Sequence, residues 1–295
     1  MSTLNGKLVG LGEVLWDCLP SGKRLGGAPA NCAFHAHQMG IPSAVVSAVG
    51  EYDDGWEILQ QLGAMGLDCS GLAMRADLPT SRVTVKMSDG GQPSYTIHQP
   101  VAWDSLVLTP EAAGLAQECA AVCFGSLAQR SKTSREMVQS FLQATPESAW
   151  RIFDVNLRQD YFSAEVLNAS LELANVVKLN DEELPVLAEL LSLTGTTADD
   201  QLAELRDRYS LHMVAYTCGA EGSILLDANE THRLAGPPVA VEDTIGAGDS
   251  FTATLAAGLL QGWPLEKTHA RAIQLAGYVC TQPGATPSHD LNRNL

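Results

Sequence analysis

Short runs of β-branched and other apolar residues alternate with longer stretches of helical periodicity along most of the chain. The strand-like runs fall at residues 7–16, 44–50, 121–125, 151–155, 176–179, 212–217 and 223–226. Candidate helices cover residues 29–39, 55–65, 133–143, 181–191 and 266–280. This alternation predicts an α/β fold in which helices cover a mostly parallel sheet. No repeat, low-complexity tract or linker divides the sequence, so a single domain over residues 1–295 is expected.

One segment departs from this alternation. Residues 81–98 read SRVTVKMSDGGQPSYTIH, which is two alternating strands around a Gly-Gly turn. Such a pattern predicts a β-hairpin in place of a strand-helix unit. On the residues alone, an edge hairpin of the main sheet explains it.

The composition is that of an ordinary folded protein, with 45% hydrophobic and 18% charged residues in 295. A formal net charge of −16 opposes binding to nucleic acid or to an anionic membrane, so neither is an expected partner. Seven cysteines are scattered without a CxxC pair, which favours reduced thiols over disulfides or a zinc site. The first residues do not resemble a signal peptide and no apolar run is long enough to span a membrane. A cytoplasmic location is therefore expected.

The stretch DTIGAGD, residues 243–249, directly precedes an apolar helix. Apolar residues recur at helical spacing from Phe251 onward, so Gly246, Ala247 and Gly248 should lie at the helix N-terminus. Backbone amides at that position have no helical partner and can hold a phosphate. A carboxylate at Asp249 would repel the phosphate unless it takes the proton from an attacking hydroxyl. The alternative is an ordinary helix cap with an acid in its first turn.

The N-terminal part of the chain carries polar residues suited to a sugar. Asp17 follows an apolar strand, and Gly26 and Gly27 allow close approach of the backbone to a ligand before Asn31 enters a helix. A carboxylate, an amide and bare backbone N–H groups together match hydroxyls, which both donate and accept hydrogen bonds. Capping and a tight turn are the alternative explanation.

The segment KLNDEEL, residues 178–184, places Asn180 at the end of a strand and three acids at the start of the next helix. Taken by itself, this pattern is explained by helix capping with favourable acids in the first turn.

Five segments, in this order, resemble the ribokinase-like (PfkB) carbohydrate kinases: GEVLWDCLPSGKRLGGAPANCAFHA, FDVNLR, KLNDEEL, TCGAEG and DTIGAGD. The likeness covers nearly the whole chain and is greatest to the fructokinase branch. It implies a ribokinase-like three-layer α/β sandwich with a mostly parallel central sheet and a small β-lid, formed by segments near residues 12–25 and 80–102. In this family the lid covers the sugar and can pair with the lid of a second subunit, so a homodimer is expected. The resemblance further implies ATP, Mg²⁺ and K⁺ as cofactors.

The resemblance also assigns roles to individual residues. The catalytic group would be the general base Asp249 with the anion-binding turn of Gly246, Ala247 and Gly248. The implied sugar contacts are Asp17, Gly26, Gly27, Asn31, Tyr95, Ile97 and Arg158. The implied nucleotide contacts are Asn180, Thr217, Gly219, Gly222, Gly246 and Gly248. Asn180 and Glu183 would hold Mg²⁺ through water. The implied K⁺ ligands are Asp243, Ile245, Gly284 and Ser288.

The implied reaction is ATP-dependent phosphorylation of D-fructose to fructose 6-phosphate. Tyr95 is followed by Thr96, Ile97 and His98, so no guanidinium is available next to that tyrosine to meet a substrate carboxylate. A neutral sugar is therefore favoured over 2-keto-3-deoxygluconate, although Arg158 leaves an acidic sugar open. Ribose or a nucleoside as the substrate also fits the same motifs, as does a non-catalytic sugar sensor on the same fold.

Overall fold

The computed structural model describes residues 6–19, 22–87 and 93–290. Its strands are β1 (Lys7–Leu11), β2 (Leu15–Leu19), β3 (Gly22–Gly26), β4 (Ser43–Gly50), β5 (Leu72–Arg75), β6 (Ser81–Met87), β7 (Pro93–Ile97), β8 (Cys119–Gly125), β9 (Trp150–Asp154), β10 (Val176–Asn180), β11 (Met213–Thr217), β12 (Ser223–Asp227) and β13 (Thr231–Leu234). Its α-helices are α1 (Ala28–Gln38), α2 (Asp53–Ala64), α3 (Pro110–Glu118), α4 (Lys132–Ala144), α5 (Ala164–Leu173), α6 (Glu183–Leu190), α7 (Ala198–Arg208), α8 (Ala247–Gln261) and α9 (Leu265–Cys280).

The main sheet has the strand order β13-β12-β11-β10-β9-β8-β1-β4-β5. Its pairs are parallel from β5 to β11, whereas β12 and β13 are antiparallel additions at one edge. Side chains alternate between the two faces of each strand, so Val9 and Leu11 enter one core while Leu8 enters the other. Helices α3 to α7 cover the first face, and α1, α2, α8 and α9 cover the second. The predicted three-layer α/β fold is confirmed.

The strand order changes direction between β1 and β8. From β1 the chain continues outward to β4 and β5, and from β8 it continues in the opposite direction to β9, β10 and β11. Open α/β sheets bind ligands outside the carboxyl ends of the strands at such a point. The segments that follow β1, β8, β9 and β10 are therefore the expected position of a binding site.

A second, smaller sheet has the order β3-β2-β6-β7. The hairpin predicted over residues 81–98 supplies β6 and β7, which pair antiparallel with each other and join β2 through β6. It is not an edge hairpin of the main sheet. The prediction of a single strand over residues 7–16 was wrong, because the chain leaves the main sheet after Leu11 and enters the small sheet at Leu15.

All seven cysteines are free thiols, as their spacing predicted. Within the described ranges, no helix combines the length and the apolar character needed to cross a bilayer.

Candidate active site

A cavity of about 720 Å³ lies between the main sheet and the small sheet, at the strand-order reversal. From the small sheet it is lined by Leu15, Asp17, Val83 and Ile97. From α1 and its approach it is lined by Glu13, Gly27, Ala28 and Asn31. From the ends of β8, β9 and β10 come Leu127, Asn156, Leu157, Arg158, Gln159, Lys178 and Asn180. The start of α8 contributes Thr244, Ile245, Gly246, Gly248 and Asp249.

The glycine-rich turn forms the N-terminus of α8, as predicted. Gly246 is the N-cap residue, with a left-handed backbone at φ 81°, and a Cβ there would lie 2.4 Å from the carbonyl oxygen of Ala285. Only glycine fits this position without strain. The amide of Ala247 donates to the carbonyl of Thr244 at 3.3 Å, and Ala247 does not line the cavity. The amides of Gly248 and Asp249, in the first turn of a fifteen-residue helix, are the ones placed to meet an anion.

Asp249 has the environment of a general base. Burial and the nearby carboxylate of Asp154 raise its pKa to about 6, although Asn31, Lys178 and Arg158 oppose the rise. The side-chain amide of Asn31 donates a 2.8 Å hydrogen bond to Oδ2 of Asp249, which favours the ionised form. The carboxyl lines the cavity and is mostly ionised at neutral pH, with a pKa close enough to accept a proton.

A buried ion pair lies beneath the turn and was not predicted. Lys178 Nζ is 3.1 Å from Oδ1 of Asp154, and both side chains are less than a tenth exposed. The hydroxyl of Thr252, on α8, donates to the other carboxylate oxygen at 2.7 Å. Burial lowers the pKa of Lys178, but Asp154 and Glu183 outweigh it and the pKa is raised, so the ammonium stays charged. Because a Cβ at Gly248 would lie 2.9 Å from Nζ, this positive charge is directly behind the anion-binding turn.

Most of the predicted sugar contacts meet in the cavity. Asp17, Gly27, Asn31, Ile97 and Arg158 all line it, whereas Gly26 does not. The side chain of Tyr95 lies outside the described part of the structure. Burial raises the pKa of Asp17 to about 6, and the positive charge of Arg158 opposes this.

The predicted nucleotide and magnesium residues lie along the ends of β10 and β11. Asn180 pairs with Thr217 across the two strands and lines the cavity, whereas Thr217, Gly219, Gly222 and Glu183 do not. The side-chain oxygen of Asn180 accepts from the amides of Glu182 and Glu183 at 3.0 and 2.9 Å. The Glu183 carboxylate accepts from the amides of Asn180 and Leu157 at 2.8 and 2.9 Å. These oxygens keep further lone pairs, so the donor set suits a cation held through water better than one bound directly.

Three of the four predicted potassium residues are joined by one carboxylate. Asp243 accepts from the amide of Ile245 at 3.0 Å and from the amide of Gly284 at 3.1 Å. Its carboxylate therefore draws the loop before α8 and the loop after α9 together. The carbonyl of Ser288 accepts from the hydroxyl of Tyr278 at 3.0 Å.

Two charged residues of the cavity, Lys178 and Glu13, were not predicted from the sequence. A lysine inside the apolar strand VVKLN needs a buried carboxylate, and that requirement could have indicated Lys178. Glu13 sits in a similar way between apolar residues in LGEVLW. Its side chain is 3% exposed, and burial raises its pKa to about 7.

The chain is similar to known proteins in both sequence and structure. The model of the pfkB family carbohydrate kinases matches residues 16–291. A fructokinase from Escherichia coli is 31% identical over 87% of this chain and 85% of its own. A fructokinase from Vibrio cholerae O395 with fructose, ADP and calcium has a TM-score of 0.82, with 26% identity over 97% of this chain and 96% of that one. An uncharacterized sugar kinase from Pyrococcus horikoshii in complex with ATP has a TM-score of 0.78, with 26% identity over 95% and 94%.

Proposed function

Because the chain belongs to the pfkB family of carbohydrate kinases, and is therefore an ATP-dependent sugar kinase, we propose that its substrate is D-fructose and its product fructose 6-phosphate. Fructokinases recur among its relatives at about 30% identity. The single structural observation that carries the mechanism is Asp249, a carboxyl with a pKa of about 6 at the N-terminus of α8 in the cavity wall.

In this proposal Asp249 accepts the proton of the sugar hydroxyl as its oxygen attacks the γ-phosphate of ATP. The amides of Gly248 and Asp249 and the ammonium of Lys178 stabilise the charge of the transferring phosphoryl group, a task of positioning and electrostatics. Asn31 orients Asp249 through its 2.8 Å hydrogen bond, and Asp17 contacts other hydroxyls of the sugar. Mg²⁺, held through water at Asn180 with Glu183 behind it, would neutralise phosphate charge when bound.

The charge balance of the cavity supports a neutral sugar. Glu13, Asp17 and Asp249 line it together with Arg158 and Lys178, but Lys178 is paired with Asp154 and lies behind the anion-binding turn at Gly248. Arg158 alone then faces three carboxyl groups, and its charge lowers the pKa of each of them. A substrate carboxylate entering this cavity would meet like charge, which disfavours binding. An acidic sugar bound at the exposed Arg158 is the second candidate.

The test is ADP release by the purified protein with MgATP and KCl, measured with fructose, ribose, 2-keto-3-deoxygluconate and adenosine in parallel. We expect fructose to give the highest kcat/KM. Asp249→Asn should lower kcat by about two orders of magnitude or more while sparing sugar affinity. Glu266→Gln is the matched control, because Glu266 is also an acid in the first turn of a helix but lies outside the cavity lining.

Each outcome decides a different part of the proposal. Undiminished turnover in Asp249→Asn contradicts the role of Asp249 as general base. A higher kcat/KM with another compound contradicts fructose as the substrate. If that compound is 2-keto-3-deoxygluconate, the result supports the acidic sugar as the substrate. Silence on all four compounds contradicts the proposed reaction and supports the sugar sensor.

We further propose that the small sheet acts as a lid, that K⁺ binds between the loops joined by Asp243, and that the protein is a homodimer. The outer strands β3 and β7 of the small sheet are edges at which a second copy can add. Light scattering should give twice the mass of one chain, and replacing KCl by choline chloride should lower kcat. A monomer at all concentrations, or an unchanged kcat, contradicts the corresponding statement.

A further inference from the structure

Glu13 occupies the point at which the chain passes from the main sheet to the small sheet. It follows β1 and precedes β2, its side chain is 3% exposed, and it lines the cavity. The backbone amides of Glu13 and of Ala28, the first residue of α1, lie beside this carboxyl and favour its ionised form. The N-terminus of α1 therefore lies beside this carboxyl.

One carboxyl oxygen of Glu13, Oε2, is buried and has no hydrogen-bond partner among the described residues. A few other buried polar atoms in the described ranges share this property, but Glu13 is the one of these residues that lines the cavity. A buried oxygen without a partner is costly, and in native proteins it calls for a specific explanation. A ligand atom that enters the cavity supplies one.

The chemistry around Oε2 selects the kind of ligand. Burial and the negative charge of Asp249 raise the pKa of Glu13 to about 7, and Arg158 opposes this. The neutral carboxyl is therefore well populated near neutral pH, and it both donates and accepts hydrogen bonds, as a sugar hydroxyl does.

We propose that Glu13 is a specificity-determining residue of the sugar site, whose Oε2 binds one hydroxyl of the substrate. The proposal rests on the proposed sugar-kinase function and deepens it. Helix α1 lies beside both carboxyl groups, with the amide of Ala28 next to Glu13 and the side chain of Asn31 bonded to Asp249. In this proposal the hydroxyl bound by Glu13 is distinct from the reacting hydroxyl at Asp249, and the two contacts fix the orientation of the sugar.

The test compares kcat/KM for fructose with kcat/KM for a series of monodeoxy fructoses, each lacking one non-reacting hydroxyl. In Glu13→Ala, we expect kcat/KM for fructose to fall about 10- to 100-fold. For the analogue that lacks the hydroxyl bound by Glu13, kcat/KM should change by less than about threefold, because this analogue does not make the contact in the wild-type protein either. The KM for ATP should not change. Ser47→Ala is the matched control, since Ser47 also has a buried, unpartnered oxygen but lies outside the cavity lining.

An equal loss for fructose and every analogue means that Glu13 only packs, and it overturns the proposal. If Glu13→Ala does not fold, Glu13→Gln decides, because it fills the same space but replaces one carboxyl oxygen by an amide group. In Glu13→Gln we expect the ratio of kcat/KM for fructose to kcat/KM for the analogue to change for one analogue and not for the others. If this ratio equals the wild-type ratio for every analogue, the proposal is overturned. If the wild-type protein phosphorylates fructose but the Glu13 variants keep the wild-type ratios, the role of Glu13 is contradicted and the proposed function stands. If the wild-type protein shows no turnover, both the proposed function and this inference are contradicted.

Discussion

Replacing Asn31 with alanine tests the electrostatic account of the general base. Asn31 donates a 2.8 Å hydrogen bond to Oδ2 of Asp249, and this bond opposes the rise of the Asp249 pKa caused by burial and by Asp154. A hydrogen bond to a charged group contributes about 1.5–3 kcal/mol, and about 1.4 kcal/mol corresponds to one pKa unit. Asn31→Ala should therefore raise the pKa of Asp249 by about one to two units, from about 6.

The assay is the pH profile of kcat/KM for the sugar at saturating MgATP, from about pH 5.5 to about pH 9. At about pH 6.5 the ionised fraction of Asp249 should fall from about three quarters to between about a quarter and a few per cent. At about pH 8.5 the base is mostly ionised in both proteins. Loss of a sugar contact by Asn31 would lower kcat/KM equally at every pH, so the midpoint of the profile isolates the effect on Asp249.

Gln129→Ala is the matched control. Gln129 carries a side-chain amide that is as buried as that of Asn31, at 1% and 4% exposure for the two residues, but it donates to Gly125 and Ser170 outside the cavity lining. Its replacement should leave the midpoint in place. A midpoint in Asn31→Ala that stays constant or moves to lower pH would refute both the hydrogen bond as the cause and Asp249 as the titrating base.

Three further predictions concern stability, all measured by chemical denaturation. Lys178→Met should lower the free energy of unfolding by about 3–5 kcal/mol because it leaves Asp154 buried and unpaired; a loss below about 1 kcal/mol would contradict this. Gly246→Ala should lower the free energy of unfolding by at least about 2 kcal/mol, because the φ of Gly246 is 81° and a carbonyl oxygen occupies the space that a Cβ needs. Gly63→Ala is the control: Gly63 lies in a helix with open space around it, so its replacement should leave the free energy of unfolding unchanged or raise it. Burial lowers the pKa of His35 to about 3, so the unfolded chain takes up a proton at this residue as the pH falls below about 6.5, while the folded protein does not. Between about pH 7 and 5 the free energy of unfolding should therefore fall by about 2 kcal/mol more in the wild-type protein than in His35→Gln. An equal fall in the two proteins would contradict the buried neutral state.

Local patterns predicted much of this fold. The candidate helix over residues 266–280 matches α9 (Leu265–Cys280) within one residue, and the candidate over 29–39 matches α1 (Ala28–Gln38) equally well. The glycine-rich turn before α8 was also predicted, because a turn, an N-cap and an apolar helix leave a signature within a few neighbouring residues.

The missed features depend on contacts between distant parts of the chain. Lys178 and Asp154 are 24 residues apart and meet because β9 and β10 are neighbours in register. Glu13 becomes a cavity residue because β1 and β2 enter different sheets, whereas residues 7–16 look like one continuous strand. Burial and pairing of this kind follow from strand order, which hydrophobic periodicity does not encode.

Helix α1 links the part of the cavity proposed to bind the sugar to the part proposed to bind phosphate. Asn31 bonds to Asp249, the proposed general base, and one turn further along, His35 Nε2 donates to the carbonyl of Ala285 at 2.9 Å. The backbone of Ala285 packs directly against Gly246, so a single helix face positions both the base and the turn that meets the anion. A shift of α1 caused by a sugar bound at Asn31 would therefore move the base and the anion-binding turn together.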